Sequence, residues 1–129
     1  MRATLAALTL MSALSHASAS DVRRPGFPEN VLGTWGADQE LCAKKDKSLI
    51  DLRATAYTRG DHDCAVRWVV ETATATGPRY SAHAICKNKS TQAQLQTVDF
   101  IVRPNPNGSI SVGLSTTNMK VLQRCDGGR

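Results

Sequence analysis

The sequence predicts an all-β protein, a small antiparallel meander of about eight strands closed into a barrel and cross-linked by two disulfides. Three observations predict it. Apolar and polar residues alternate in short runs from Ile50 onward, turn signals such as Gly77-Pro78 and Asn107-Gly108 separate the runs, and no stretch has a clear helical period. Closing the sheet removes its exposed edges most completely, which favours a barrel over a two-sheet sandwich.

Residues 1–19 have the pattern of a secretory signal peptide. Met1-Arg2 is a short positive start, Ala3 to Leu14 is mainly apolar, and Ala17-Ser18-Ala19 is a small-residue cleavage site. The apolar run is too short to span a bilayer, so a cleaved signal is favoured over a membrane anchor and no transmembrane segment is expected. The pattern predicts an exported protein, which we place in the periplasm.

The remaining 110 of the 129 residues suit one domain. Residues 20–29 contain Pro25 and Pro28 and no hydrophobic period, which predicts an extended N-terminal arm that contributes little to the core. Residues 30–126 form the predicted barrel, and residues 127–129 form a short C-terminal tail.

The stretch from Asn30 to Cys42 joins a predicted first strand to the first cysteine, with Trp35 between them. Trp35 is one of only two tryptophans, and a ring of this size can fill much of a small core. After it, Ala37 to Lys45 is compatible with one short helical turn.

Each later run assigns alternate side chains to the barrel interior. Strict alternation places Trp68 inward, so both tryptophans are predicted to be core residues. The run from Thr91 to Arg103 slips in phase, which indicates a bulge or a turn near Gln94–Gln96. In chain order, the predicted inward sets are Ile50, Leu52, Ala54 and Ala56; Cys64, Val66, Trp68 and Val70; Tyr80, Ala82, Ala84 and Cys86; Val98, Phe100 and Val102; Ile110, Val112 and Leu114; and Met119, Val121 and Cys125.

Four cysteines in an exported chain predict two disulfides. A zinc site is the alternative, but the spacings contain no close pair of the kind that zinc sites use. Cys64 and Cys86 fall on the inward phase of consecutive strands, which favours their pairing. Cys42 and Cys125 then link the first and last strands, which barrel closure makes neighbours. The sequence alone leaves two other pairings open.

Asp61-His62-Asp63 is the most suggestive local cluster for chemistry, because two carboxylates around an imidazole could bind a metal or exchange protons. In a strand, however, adjacent side chains point to opposite faces, and in a turn all three are solvated. The sequence also lacks a Gly-x-Ser-x-Gly elbow and a phosphate-binding glycine loop. We therefore expect a non-enzyme without catalytic residues, metal or cofactor, and an enzyme using His62 and Asp63 is the trailing alternative.

The chain has a formal net charge of +5 at pH 7 and a pI near 9.3, with cations spread along its length. This balance fits a soluble positive surface, and it also permits attraction to anionic polymers of the cell envelope. Nucleic-acid partners are not expected, because aromatic residues make up only 5% of the chain.

Gly33-Thr34-Trp35, followed by Cys42, resembles the periplasmic inhibitor family of metalloproteases. The resemblance implies an eight-stranded barrel with its first strand around Thr34 and Trp35, and an N-terminal arm that enters the protease cleft. Residues 20–29 would form that arm. The chain departs from the family in having four cysteines where two are typical, and in the two prolines of the arm.

The overall build also resembles the bacterial lysozyme inhibitors, small exported barrels with disulfides, although their Ser-Gly-x-x-Tyr signature is absent. The expected function is therefore binding and inhibition of a hydrolase, either a protease or a peptidoglycan-cleaving enzyme such as lysozyme, by a monomer. An envelope module that binds anionic polymers is the alternative. The candidate binding residues are Arg23, Arg24 and Phe27 in the arm, and Asp61, His62 and Asp63 in the turn.

Overall fold

Eight antiparallel strands close into a barrel, and one further short strand is added at its side. The computed structural model describes residues 21–91 and 95–126. Those residues form a 3-10 helix at Glu29–Val31, one short α-helix, α1, at Gln39–Ala43, and nine strands. The strands are β1 (Val22–Arg24), β2 (Gly33–Gly36), β3 (Ile50–Arg53), β4 (Ala56–Arg59), β5 (His62–Thr74), β6 (Gly77–Asn88), β7 (Gln96–Pro104), β8 (Ile110–Gly113) and β9 (Met119–Arg124).

Hydrogen-bonded pairing runs round the barrel in the order β5-β4-β3-β2-β9-β8-β7-β6, and β6 returns to β5. Every pairing is antiparallel. β4 pairs with the first part of β5, and β1 pairs with a later part of the same edge. The predicted closed barrel is confirmed, because the first strand of the meander, β2, pairs with its last strand, β9.

Both predicted disulfides are confirmed. Cys64 and Cys86 lie directly opposite each other on β5 and β6, with Cα atoms 4.0 Å apart. Cys42 lies in α1 and bonds Cys125, which follows β9, across a Cα–Cα distance of 5.4 Å. The second bridge closes a long loop, and on the chain-entropy account each bridge stabilises the fold by about 3–5 kcal/mol.

Trp35 anchors the end of the barrel that carries the 3-10 helix. Its side chain is 1% exposed, and its Nε1 donates to the carbonyl oxygen of Val31 at 3.0 Å. The Arg124 guanidinium lies 4.3 Å from the ring centroid of Trp35 and also donates to the carbonyl oxygen of Leu32. Gly33 has a φ of +134°, and a Cβ there would meet the Arg124 guanidinium. The predicted core role of Trp35 is confirmed.

The run from Ile50 to Tyr57 folds as two strands, where one was predicted. Arg53 pairs with Ala56 across a turn of two residues, 54–55, which no glycine, proline, asparagine or aspartate marks. The turn reverses the phase, so that Tyr57 pairs with Leu52 and is half-buried against the core, although alternation placed it outside.

A β-bulge in β5 overturns the prediction for the second tryptophan. The register between β5 and β6 shifts between Val66 and Trp68, which leaves Arg67 as an extra residue. Beyond the bulge the interior position passes to Val69, which is 0% exposed. The prediction that Trp68 and Val70 point into the core is wrong, because one inserted residue moves each following side chain to the other face.

The phase predicted for β9 is also wrong. Leu122 pairs with Ile110 and is buried, whereas Val121 is 60% exposed and Met119 is only half-buried. Because Val121 and Leu122 are both apolar and adjacent, alternation allows either of them to point into the barrel. Pairing with the buried Ile110 places Leu122 inside. Lys120, expected on the outside, therefore falls on the inward phase.

The inward phases of the other strands are confirmed at the buried residues Tyr80, Ala82, Ala84, Phe100, Val102 and Ile110. Leu114, also expected inside, lies beyond the end of β8 and is 74% exposed. The predicted signal peptide at residues 1–19, the tail at residues 127–129 and part of the predicted irregularity, at Gln94, lie outside the described residues.

The segment before β2 covers the barrel end at which β3 turns into β4. Phe27 is 5% exposed, its N–H donates to the carbonyl oxygen of Ala54 at 2.8 Å, and its ring centroid lies 5.9 Å from that of Phe100. Val31 is 0% exposed. The expectation that residues 20–29 contribute little to the core is wrong for Phe27. A single apolar side chain without any periodic pattern can fill the open end of a barrel, and alternation does not reveal it.

Candidate binding site on the outer barrel face

Side chains from four neighbouring strands form one row across the outer face of the barrel. The guanidinium carbon of Arg23 on β1 lies 4.3 Å from the ring centroid of Trp68 on β5. The ring of Trp68 stacks on His83 of β6, with centroids 4.1 Å apart and planes 13° apart. His83 Nδ1 lies 2.7 Å from Asp99 Oδ1 on β7. We call this set the Trp68 row; its members are Arg23, Trp68, His83 and Asp99.

The row faces outward as a consequence of the bulge. Ala82 and Ala84, on either side of His83, are both 0% exposed, so His83 points away from the core. The bulge brings Trp68 opposite His83 and therefore onto the same outer face. Without the extra residue, Trp68 would point into the barrel.

Contacts within the row hold the side chains in place while leaving part of each in solvent. The Asp99 side chain is 71% exposed, the His83 side chain is 28% exposed, and Trp68 is half-buried. A cation over an aromatic ring contributes about 0.5–1 kcal/mol at an exposed site, and a stacked aromatic pair about 0.5–1.5 kcal/mol. These contacts hold the indole ring of Trp68 in a defined orientation on the outer face.

The row brings aromatic, cationic and acidic side chains together on one outer face. It offers one indole ring, one guanidinium, one imidazole and one carboxylate, and none of its four members is a serine, threonine, cysteine or lysine. Within the described residues, no group of three His, Cys, Asp or Glu side chains could hold a metal ion. Tryptophan and arginine are both enriched among the residues that dominate binding energy at protein interfaces.

Of the arm residues expected to bind, Arg23 belongs to the row, Phe27 is buried in the core, and Arg24 pairs with Glu71. The Arg24 Nε and Nη2 atoms donate to Glu71 Oε2 at 3.1 and 2.8 Å, which ties β1 to β5. The hydrogen bond from Arg24 is the main cause that holds the pKa of Glu71 below its ordinary value of 4.5, while desolvation opposes it and a hydrogen bond with Tyr80 assists.

This lowered pKa predicts an acid-dependent contribution of Glu71 to stability. The contribution is complete above about pH 4.5 and is lost as the pH falls through the lower pKa of the folded state. Glu71→Gln is therefore expected to be less stable than the parent at pH 7, with the difference shrinking below pH 4.5. Denaturant midpoints measured from pH 7 to pH 3 test this. Arg24→Gln should show the same convergence, and a constant difference across that range would contradict the assignment.

The Asp61-His62-Asp63 cluster lies at the turn from β4 into β5, at the opposite barrel end from Phe27. Asp61 and His62 are exposed, and Asp63 is half-buried. The Lys89 N–H donates to the carbonyl oxygen of Asp61 at 2.9 Å, and Lys89 Nζ lies 3.9 Å from Asp63 Oδ2. The three side chains thus belong to a solvated turn that is joined to the β6–β7 loop, and they do not converge with the Trp68 row.

Sequence reasoning missed Trp68, His83 and Asp99 as site residues. His83 was correctly placed outside, but its partner Trp68 was assigned to the core. One signal was available in the sequence: Val69 and Val70 are adjacent and both apolar, so either could point into the barrel. This pattern is compatible with a bulge before Trp68.

No protein-family model, curated protein or solved structure matches this chain. Among residues 21–91 and 95–126, no helix is long and apolar enough to cross a membrane. The class of protein defined by the fold is a small barrel cross-linked by two disulfides, which indicates an oxidising compartment.

Proposed function

We propose that this is an exported, non-enzymatic protein of the periplasm that binds and inhibits a hydrolase, with the Trp68 row as its contact surface. The hydrolase is either a peptidoglycan-cleaving enzyme such as lysozyme or a protease. The observation that carries the proposal is the position of Trp68, a large aromatic side chain held between Arg23 and His83 on the outside of the barrel.

An outward tryptophan between two planar groups favours a protein partner. Tryptophan and arginine are enriched among the few residues that dominate binding energy at protein interfaces. The row is also ordered beforehand, so that docking costs little side-chain entropy. The closed barrel and its two bridges limit backbone rearrangement and lower that cost further.

The target class follows from the likeness of Gly33-Thr34-Trp35 and Cys42 to the metalloprotease inhibitors, and from the build shared with lysozyme inhibitors. The way of binding proposed here differs from an arm that enters the cleft. Val22–Arg24 pair with β5, and Phe27 is buried. We therefore assign inhibition to the barrel wall, which would cover the enzyme's cleft while Trp68 contacts its rim.

The assignment to the periplasm combines the signal-peptide pattern of residues 1–19 with the two disulfides. Both bridges need an oxidising compartment, which the bacterial periplasm supplies.

The proposal is tested by adding the purified, oxidised protein to a panel of lysozymes, other peptidoglycan hydrolases and metalloproteases. Inhibition of each enzyme and binding to it are measured. Trp68→Ala is expected to weaken binding to the inhibited enzyme at least tenfold, which corresponds to about 1.4 kcal/mol. Val121→Ala is the matched control, because Val121 is an exposed apolar residue on β9, four strands round the barrel from β5. It should change the affinity less than twofold.

Two results would contradict the proposal. One is inhibition that Trp68→Ala leaves unchanged, which would move the contact away from the row. The other is an absence of inhibition across the panel together with binding to anionic envelope polymers that weakens steeply with salt. The second result would support the polyanion-binding alternative.

A further inference from the structure

A cavity of about 290 Å³ opens at the barrel end opposite Phe27. The loop from α1 to β3, the end of β4 and the loop from β8 to β9 surround it. Its apolar wall includes Ile50, Phe100 and Leu122, and Phe100 also contacts Phe27 from the covered end. Eight-stranded barrels are wide enough to hold one small ligand in such a position.

Two cations line this cavity, and the strand register explains how they reach it. Arg59 pairs with the buried Ile50. Lys120 lies two residues before the buried Leu122 and pairs with Val112. Arg59 and Lys120 therefore occupy positions whose side chains point toward the barrel interior. Both lie at the rim of the cavity, where water still reaches the charge.

Among the described residues that line the cavity, none is acidic. Among the residues that the structure describes, neither Arg59 nor Lys120 forms an ion pair with a carboxylate. Unlike Arg24, which Glu71 neutralises, these two cations leave their charge available to a ligand.

Tyr57 adds a hydrogen-bond donor between the cations and the apolar wall. Its ring centroid lies 4.8 Å from that of Phe100. Burial raises the pKa of its phenol, and the nearby Arg59 opposes this more weakly, so the hydroxyl keeps its proton at neutral pH. A protonated phenol can donate to an anion that the cations attract.

We propose that this cavity binds a small anionic amphiphile, an aliphatic carboxylate of about eight carbons in all. The carboxylate lies between Arg59 and Lys120, and the tail lies along Ile50, Phe100 and Leu122. The cavity volume of about 290 Å³ lies at the small end of the range usual for small-molecule sites, which favours a short-chain ligand. An apolar pocket with a few convergent polar groups is the usual form of a small-molecule site.

Titration of the purified, oxidised protein with sodium octanoate, followed by amide chemical shifts, tests the proposal. We expect saturable binding of one octanoate, with the largest shifts at Ile50, Phe100 and Leu122. Acetate, which lacks the tail, and octyltrimethylammonium, which carries the opposite charge, should cause no such shifts at the same concentrations.

Charge variants test the role of the rim. Arg59→Gln and Lys120→Gln should each weaken octanoate binding about five- to tenfold, and Tyr57→Phe about two- to fourfold. Lys87→Gln is the matched control, because it removes the same charge from an exposed residue of β6 that does not line the cavity, and it should change binding less than twofold.

The proposal fails if octanoate leaves the lining amides unshifted at millimolar concentration, or if Arg59→Gln and Lys120→Gln both bind it as the parent does. Because the Trp68 row lies on the outer wall and the cavity at the barrel end, failure here leaves the proposed inhibition untouched. A loss of hydrolase binding in Trp68→Ala likewise says nothing against the cavity.

Discussion

Replacing Trp35 with alanine is expected to lower the free energy of unfolding by about 3–5 kcal/mol, a large part of the total for a domain of this size. The side chain is 1% exposed, and its removal leaves a cavity that neighbouring groups fill only partly. The carbonyl oxygen of Val31 also loses its partner Nε1, and the Arg124 guanidinium loses the ring beneath it. Both losses loosen the 3-10 helix over the barrel end.

The other tryptophan supplies a matched control for this measurement. Trp68→Ala removes a side chain of the same size, but from the outer face, and we expect a loss of only about 1–2 kcal/mol from its contacts with Arg23 and His83. Guanidinium denaturation of both variants, with the disulfides intact, gives the comparison. Equal losses would mean that the bulge in β5 does not place Trp68 outside.

Replacing Phe27 with alanine is expected to cost about 3–5 kcal/mol and to lower the melting temperature by more than about 10 °C. Phe27 lies in the N-terminal segment, yet it is 5% exposed and contacts Phe100 inside the barrel. Removing its ring exposes the interior at the end where Ala54 accepts a backbone hydrogen bond from residue 27. The main cost is therefore lost apolar burial.

Val22→Ala is the matched control for the same segment. Val22 lies in β1, is 46% exposed and contributes mainly through its backbone, so the variant should unfold within about 0.5 kcal/mol of the parent. Thermal unfolding of the parent and both variants distinguishes a docked segment from a free arm. If the Phe27→Ala variant melts at the same temperature as the parent, the N-terminal segment is a free arm and Phe27 does not contribute to the core.

Barrel closure and both disulfides could be predicted because they depend on patterns that the chain repeats. Alternation placed Cys64 and Cys86 on one face of neighbouring strands, and closure then left Cys42 and Cys125 to join the ends of the meander. Predictions of this kind stay correct when one turn is assigned wrongly, because the meander still brings its first and last strands together.

The candidate site could not be predicted, because it depends on a single inserted residue. Strict alternation from Cys64 assigns Trp68 to the interior, and only pairing with β6 makes Arg67 the extra residue. The cavity depends on register in the same way, since Lys120 reaches the inward phase only because Leu122 pairs with Ile110. In both places adjacent apolar residues, Val69-Val70 and Val121-Leu122, support either phase equally.

By itself, the sequence determined the all-β class, the antiparallel meander, the bridge pairing favoured by phase and the burial of Trp35, because each follows from period-2 alternation or cysteine position. Tertiary structure alone decided that Phe27 is a core residue, that Trp68 faces solvent, and that Arg59 and Lys120 share a cavity. These outcomes depend on which strand lies beside which and in what register. The free energy that selects a register comes from burial across strands distant in sequence, which no local pattern contains.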